Sequence, residues 1–369
     1  MKYYVIAGEA SGDLHGSNLL KALQQEDPNA QVRCWGGDLM EAAGGELVKH
    51  YRDLAFMGFV EVVKNLRTIL GNLSFCKEDI LKFQPDTLIL IDYPGFNMRI
   101  AKWAHAQGIR VIYYISPQIW AWNTKRVHQI KAHVDRMLVI LPFEAAFYQR
   151  YDYKAYFVGH PLLDVVEDYQ APEGFSLAKQ QPIALLPGSR RQEVERMLEV
   201  MLSVVPAFPE EQFVIGGAPS LPRSFYEEIL AAVDPSIRAR VTLLEQQTYP
   251  LLSVAKAALV ASGTATLETA LFKVPQVVCY RGNGISYQIA KRLVKVDYIS
   301  LVNLIAEREV VKELIQHELT TEKLTQSLRN ILSDHGQERL QTDYEELHQR
   351  LGQAGASRRA AKVIVDFLD

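Results

Sequence analysis

Short apolar runs alternate with segments of helical period along nearly the whole chain. In the first half the runs are Tyr3–Ala7, Val32–Trp35, Thr87–Ile91, Val111–Ile115, Met137–Leu141 and Tyr156–Val158. In the second half they are Ile183–Leu186, Phe213–Ile215, Val241–Leu244, Ala258–Ala261 and Val277–Tyr280. Most are continuous rather than alternating, the pattern of strands covered by helices on both faces. Each half therefore reads as an open parallel α/β sheet. Gly159–His160–Pro161 and the polar tract Asp168–Gln181 read as a linker, and Thr320–Asp369 as a charged helical tail. Two such sheets facing one another would leave a ligand cleft at the carboxyl ends of their strands.

The segment Leu54–Leu73 departs from this pattern. Phe59, Val63, Leu66, Leu70 and Leu73 recur at spacings of four and three, which lines one face of a helix. Phe56, Met57, Val60, Val62 and Ile69 add apolar surface elsewhere around it, with Lys64 and Arg67 among them. A helix greasy on more than one side is either buried all round or touches lipid. The pattern alone leaves both readings open.

At 369 residues the chain exceeds a usual single core, which favours two domains. Its 48% apolar and 22% charged residues exclude a disordered or fibrous chain. A net charge of −3 gives no general attraction to nucleic acid, so any anion site must be local. Cys34, Cys76 and Cys279 are odd in number and form no CxxC pair, which suits reduced thiols better than disulfides or zinc. The opening MKYYVIAGEASGD runs straight into a strand and a glycine turn rather than a signal peptide. No apolar run reaches the ~18 residues of a spanning helix, so any membrane contact is expected to be peripheral.

Four strand-end turns carry the candidate chemistry. Gly8-Glu9-Ala10-Ser11-Gly12-Asp13 opens the first helix, whose amides could receive an anion or hydroxyl. It is not GxGxxG and lacks the acid about twenty residues on, which disfavours NAD. Ser11 or Asp13 serves equally well as a plain helix cap, and His15 reads as structural. Pro187-Gly188-Ser189-Arg190-Arg191 could hold a phosphate between helix-end amides and a guanidinium, although a solvated turn has the same sequence. No GK[ST] follows, which disfavours nucleoside triphosphate hydrolysis. In Ala261–Glu268 the small residues Ser262, Gly263 and Thr264 would let a diphosphate approach, and Glu268 could accept from two ribose hydroxyls. Capping by Thr264 and a solvated Glu268 are the simpler alternative. Asp92 directly follows the strand Thr87–Ile91, where a general base would point toward ligand, though a turn acid also fits. Trp120 and Trp122 end the next strand and could floor a sugar or acyl site, or lie in the core.

Taken in order, these segments resemble the lipid-A-disaccharide synthases, an inverting glycosyltransferase family. The matching stretches are GEASGD at 8–13, MGFVEV at 57–62, IDYPGFN at 91–97 and YISPQIWAW at 114–122. They continue with VGHPLLD at 158–164, LLPGSR at 185–190, ASGTATLE at 261–268 and AKRLVKVDYISLVNL at 290–304. The resemblance spans Met1 to about Leu332. It implies the GT-B architecture, α/β with two Rossmann-like parallel-sheet domains facing a central cleft. The expected division is an acceptor and membrane-side domain at 1–165, a UDP-sugar domain at 166–342, and a C-terminal helix at 343–369 packing on the first domain.

The implied reaction joins UDP-2,3-diacylglucosamine to 2,3-diacylglucosamine 1-phosphate (lipid X), giving a β-1,6 disaccharide 1-phosphate and UDP by single inverting displacement. The resemblance makes Asp92 the base and places UDP on Gly188, Ser189, Arg190, Ser262, Gly263, Thr264 and Glu268. Glu9, Ser11 and Asn303 would line the acceptor or donor. It also turns Phe56, Met57, Phe59, Val60, Val63, Leu66, Ile69 and Leu70 toward acyl chains at the cytoplasmic face of the inner membrane, giving a cytoplasmic, peripherally bound protein. A homodimer is a further expectation of the resemblance, without support from the residues themselves. No Asp-x-Asp pair occurs, so the sequence demands no metal, and no cofactor is expected beyond the UDP-sugar substrate. Some relatives carry a second acid where this chain has Gly95, which leaves Asp92 as the only acid of its motif. A UDP-sugar 2-epimerase-like isomerase on the same fold is the alternative.

Overall fold

The computed structural model describes residues 1–54, 66–177, 179–282 and 296–368, which form two compact units. The first comprises Met1–Asp164 and Gln353–Asp369, the second Val165–Gly352.

The first unit is built on a seven-stranded sheet in the order β3-β2-β1-β4-β5-β6-β7, with every pairing parallel. Its strands are β1 (Lys2–Ala7), β2 (Gln31–Gly36), β3 (Glu46–His50), β4 (Thr87–Ile91), β5 (Arg110–Tyr114), β6 (Arg136–Val139) and β7 (Ala155–Phe157). The central strands β1, β4 and β5 are the continuous apolar runs, and alternate side chains enter two cores. Tyr4, Ile6, Leu88, Leu90 and Tyr113 pack on one face. Tyr3, Val5, Ile89, Ile91 and Tyr114 pack on the other. That second face is closed by the helices Ala10–Glu26 and Ala356–Leu368, whose Leu19, Leu20, Leu23, Ala360 and Ile364 are fully buried.

The C-terminal helix is held by the turn at 158–164. The Asp164 carboxylate accepts from the amides of Gly355, Ala356 and Ser357 at 2.6, 3.1 and 3.1 Å, satisfying helix-start donors that would otherwise lack partners. Arg359 donates to the Val158 carbonyl at 2.7 Å and to the Ala354 and Gln353 carbonyls. Gly159–His160–Pro161, read as linker, therefore belongs to a helix-fastening turn that opens the helix Pro161–Glu167.

The second unit carries a six-stranded parallel sheet in the order β10-β9-β8-β11-β12-β13. Its strands are β8 (Ile183–Leu186), β9 (Phe213–Gly217), β10 (Val241–Glu245), β11 (Ala257–Ala261), β12 (Gln276–Tyr280) and β13 (Lys312–Ile315). The edge strands β3 and β13 escape the sequence reading. ELVKH is exposed or half-buried throughout and KELI buries only two positions, so neither shows a continuous apolar run.

The helix of the greasy segment runs Leu66–Phe83. Its buried stripe is Leu73, Cys76 and Ile80, with Ile69 and Phe83 packed against the same core. Leu70, expected on that stripe, is 54% exposed and faces outward. The expectations for Phe56, Met57, Phe59, Val60 and Val63, and for the Leu66 side chain, lie outside the described residues.

Candidate active site

In the first sheet the chain leaves β1 toward β2 on one side and β4 toward β5 on the other. Open α/β sheets bind ligands at such a switch point, beyond the carboxyl ends of the strands. Ala7 and Ile91 are in register there, so the turns after them lie side by side. Asp92 and Tyr93 both adopt left-handed backbone, with φ of 43° and 48°. Aspartate tolerates this conformation, whereas a tyrosine must be held in it.

The surroundings supply that hold. The Asp92 amide donates to the Tyr114 carbonyl at 3.2 Å. The Asp92 carbonyl accepts from Asn97 Nδ2 at 2.8 Å and Tyr113 Oη at 2.6 Å. The Tyr93 ring lies against Gly8, where a Cβ would come within 2.3 Å of the ring. Glycine is thus required at position 8 because the ring of the neighbouring turn fills the space of a side chain.

The result is an aspartate whose backbone is pinned from three sides. Burial, with the charge of nearby Glu9 adding to it, pushes the Asp92 carboxyl up to about 6. Glu9 precedes the helix Ala10–Glu26 without capping it, and Ser11 is exposed. Neither Ser11 nor Asp13 caps that helix. The buried Asp13 instead accepts from the amides of Gly37, Leu39 and Met40 at 2.7, 3.2 and 3.0 Å, fixing the start of the helix Asp38–Ala42. His15 is buried, and desolvation pushes it down to about 4 despite the Asp164 charge, so it is neutral near pH 7.

A second acid sits within electrostatic reach of Asp92, and sequence reasoning missed it. Glu144 is 1% exposed and begins the helix Glu144–Gln149 that follows β6. It accepts from Trp120 Nε1 at 3.2 Å and from the Ile140 and Leu141 amides at 3.2 and 2.9 Å. Burial raises it to about 7, with the Asp92 charge a smaller contribution in the same direction. Its only sequence signal was an acid just past the strand-end run Met137–Leu141. Trp120 is thereby tied to a carboxylate and half-buried, while Trp122 is 50% exposed.

The second sheet repeats the arrangement. Its switch point lies between β8 and β11, where Leu186 and Val260 are in register. Gly188 has φ 109°, and a Cβ there would meet the Glu193 carboxylate at 2.4 Å, so the turn admits only glycine. Ser189 and Arg190 are exposed, and the Arg190 side chain makes no capping bond to the helix Arg191–Leu202. Across the switch point, the Ser262 hydroxyl donates to the Ile299 carbonyl at 3.1 Å. Gly263 and Thr264 are exposed at the start of the helix Thr264–Leu271, and a Cβ at Gly263 would meet nothing within 4 Å. Helix-start amides open to solvent are suited to an anion such as a diphosphate.

Glu268, one turn in, is not the solvated acid of the simpler reading. It is half-buried, accepts from Tyr249 Oη at 2.9 Å, and desolvation raises its proton affinity. Asn303 departs from its expected role at a ligand. It is fully buried: Nδ2 donates to the Val311 carbonyl at 2.8 Å and to Glu313 at 2.9 Å, and Oδ1 accepts from the Val310 and Val311 amides. Its two donors and two acceptor positions are all used inside the unit, so it is a structural brace. Among the described residues no cluster of metal-ligating side chains occurs.

Two parallel-sheet α/β units, each with glycine-bearing turns at its switch point, give the fold class shared by GT-B glycosyltransferases and epimerases. Among solved structures, a glycosyltransferase of kitacinnamycin superposes with a TM-score of 0.67 at 17% identity, covering 100% of this chain and 99% of that one. The UDP-GlcNAc 2-epimerase of Neisseria meningitidis, bound to UDP-GlcNAc, superposes with a TM-score of 0.65 at 14% identity, covering 100% and 99%. At such identities the likeness is one of fold alone, and the epimerase alternative rests on nothing more.

Sequence relatives are more specific. Lipid-A-disaccharide synthase of Syntrophus aciditrophicus is 40% identical, covering 99% of this chain and 97% of its own length. That of Geobacter metallireducens is 39% identical, covering 99% and 96%. The sequence profile of the lipid-A-disaccharide synthetase family matches residues 3–367, and the chain belongs to that family. It is a glycosyltransferase of lipid A biosynthesis.

Proposed function

We propose that the protein transfers 2,3-diacylglucosamine from UDP-2,3-diacylglucosamine to lipid X, forming the β-1,6 disaccharide 1-phosphate and UDP. The observation that carries this reading is Asp92, an acid at a sheet switch point whose proton affinity, at about 6, suits a general base working near neutrality. The acceptor 6-hydroxyl gives its proton to the Asp92 carboxylate as its oxygen bonds to the anomeric carbon. The bond from that carbon to the β-phosphate oxygen breaks, and UDP leaves with the electron pair. Arg190 and the amides at Ser262–Thr264 offset the charge that develops on the departing diphosphate. Glu268, with one oxygen held by Tyr249, accepts from the ribose hydroxyls through the other. Glu9 and Ser11 border the acceptor.

The same reading makes the protein peripheral to the cytoplasmic face of the inner membrane. Among the described residues no helix is long and apolar enough to cross a membrane. The helix Leu66–Phe83 nevertheless holds Leu70 54% and Leu81 51% exposed, three turns apart on one outward side. Incubating the protein with both substrates and measuring UDP and tetraacyl disaccharide tests the reaction, and absence of both refutes it. Replacing Phe56, Met57 and Phe59 with serine should reduce co-sedimentation with anionic vesicles while unfolding stays cooperative. Loss of the fold would assign those residues to the core instead.

A further inference from the structure

The acceptor in this reading carries a phosphate monoester, and nothing above supplies its counter-charge. Arg190, the arginine of the diphosphate turn, stands on the second unit, whereas the base stands on the first. A cation that meets the acceptor phosphate beside Asp92 must come from the turns that neighbour it in the first sheet. β5 is the next strand to β4, with Ile91 and Tyr114 in register, so the segment following β5 flanks the Asp92 turn. That segment runs through the short helix Ile119–Trp122 into the turn Thr124–Arg126, where Lys125 and Arg126 lie.

We propose that Arg126, assisted by Lys125, binds the phosphate monoester of the acceptor sugar and so holds its hydroxyl end against Asp92. The assignment rests on the reading of Asp92 as the acceptor's base. The Arg126 guanidinium stacks over the ring of Trp122, 5.3 Å from its centroid, and that ring is itself 50% exposed. Stacking on an aromatic face fixes the plane of a guanidinium while leaving its N–H edge open for a phosphate to accept two parallel bonds.

Two other half-buried arginines of this unit already spend their donors. Arg33 is paired with Asp79, and Arg359 is spent on three carbonyls. Arg126 is half-buried as well, yet among the described residues it has neither an ion pair nor a hydrogen-bond acceptor. Its charge also acts on the Tyr113 hydroxyl, a hydrogen-bond partner of the Asp92 carbonyl. Tyr113, whose hydroxyl donates to the Asp92 carbonyl at 2.6 Å, feels the Arg126 charge as a lowering influence on a phenol that burial and the Asp92 charge raise. Lys125 is exposed one residue away and adds to the positive potential without competing for the ring.

The test is a cycle of two acceptors and two enzymes. Full-length wild type and Arg126→Ala are assayed for UDP release with 2,3-diacylglucosamine 1-phosphate and with the same sugar lacking its phosphate, in detergent of fixed composition. Loss of a charge-assisted contact should lower kcat/KM for the phosphorylated acceptor about ten- to hundredfold. The change for the dephosphorylated acceptor should stay below about threefold, and the donor KM should hold. Arg126→Lys should recover part of the loss. Equal losses on both acceptors would show Arg126 to be merely structural, and an unchanged variant or a wild type that ignores the phosphate would overturn the assignment. Should Arg126→Ala not fold, Arg126→Gln, which retains most of the stem, carries the same comparison. Absence of UDP release by wild type with either acceptor would instead refute the proposed reaction.

Discussion

Replacing Asp92 with asparagine should slow turnover by about 10²–10⁴-fold at pH 8, the usual size of a lost general base, while UDP binding persists. The structure says why the fold should survive. Position 92 contributes to its surroundings through the backbone, its amide bonded to Tyr114 and its carbonyl to Asn97 and Tyr113. Asparagine tolerates left-handed backbone as readily as aspartate, so φ of 43° imposes no new strain. The size of the effect must also vary with pH in a defined way. A base held near 6 is almost wholly ionised at pH 8 but only about a tenth ionised at pH 5, so wild-type kcat/KM should fall about tenfold between them. The variant has no such group to titrate, and its profile should be flat across that range. The ratio of wild type to variant should therefore shrink to about 10–10³ at pH 5. Radiolabelled UDP release between pH 5 and 8, with binding followed by calorimetry, provides the measurement. A variant within a few-fold of wild type, or one that retains the acid limb, would remove Asp92 from the role.

Glu9→Gln removes the like charge beside Asp92, so the acid limb of wild-type kcat/KM should move toward lower pH, and an unmoved limb would refute the coupling. Asn303→Ala strands the buried amides of Val310 and Val311 together with Glu313, and should cost about 2–4 kcal/mol in denaturant unfolding of the second unit. A loss under about 0.5 kcal/mol would contradict the brace. Asp164→Ala uncaps the helix Ala356–Leu368 and should cost about 1–2 kcal/mol, with limited proteolysis cutting first near Gln353 if the reasoning holds.

What the sequence made legible follows the physics of burial. β4 and β8 were bounded correctly because TLILI and IALL are covered on both faces, and nothing but a strand of that length suits such runs. β3 and β13 were missed because an edge strand needs apolar residues on only part of its surface. The strand-end turns could be read because glycine and small residues mark where backbone must come close, as Gly8 and Gly188 show. Long-range partners could not be read. No spacing rule connects Glu144 to Trp120 and the Asp92 turn, or Tyr249 to Glu268, because the sheet order brings them together. Asn303 shows the opposite failure. An asparagine in a family-like segment suggests a ligand, and only the hydrogen bonds reveal that its amide is already saturated.

The first unit is discontinuous in the chain, and this governs the order in which the protein can mature. Synthesis delivers residues 1–164, then the whole second unit, and only afterwards the helix that covers Leu19, Leu20 and Leu23. Until then those leucines have no lid, and a nascent chain carries a sticky face through the making of some 190 intervening residues. Damage to the last dozen residues should accordingly be felt at the acid-bearing half of the enzyme, the farthest from them in sequence.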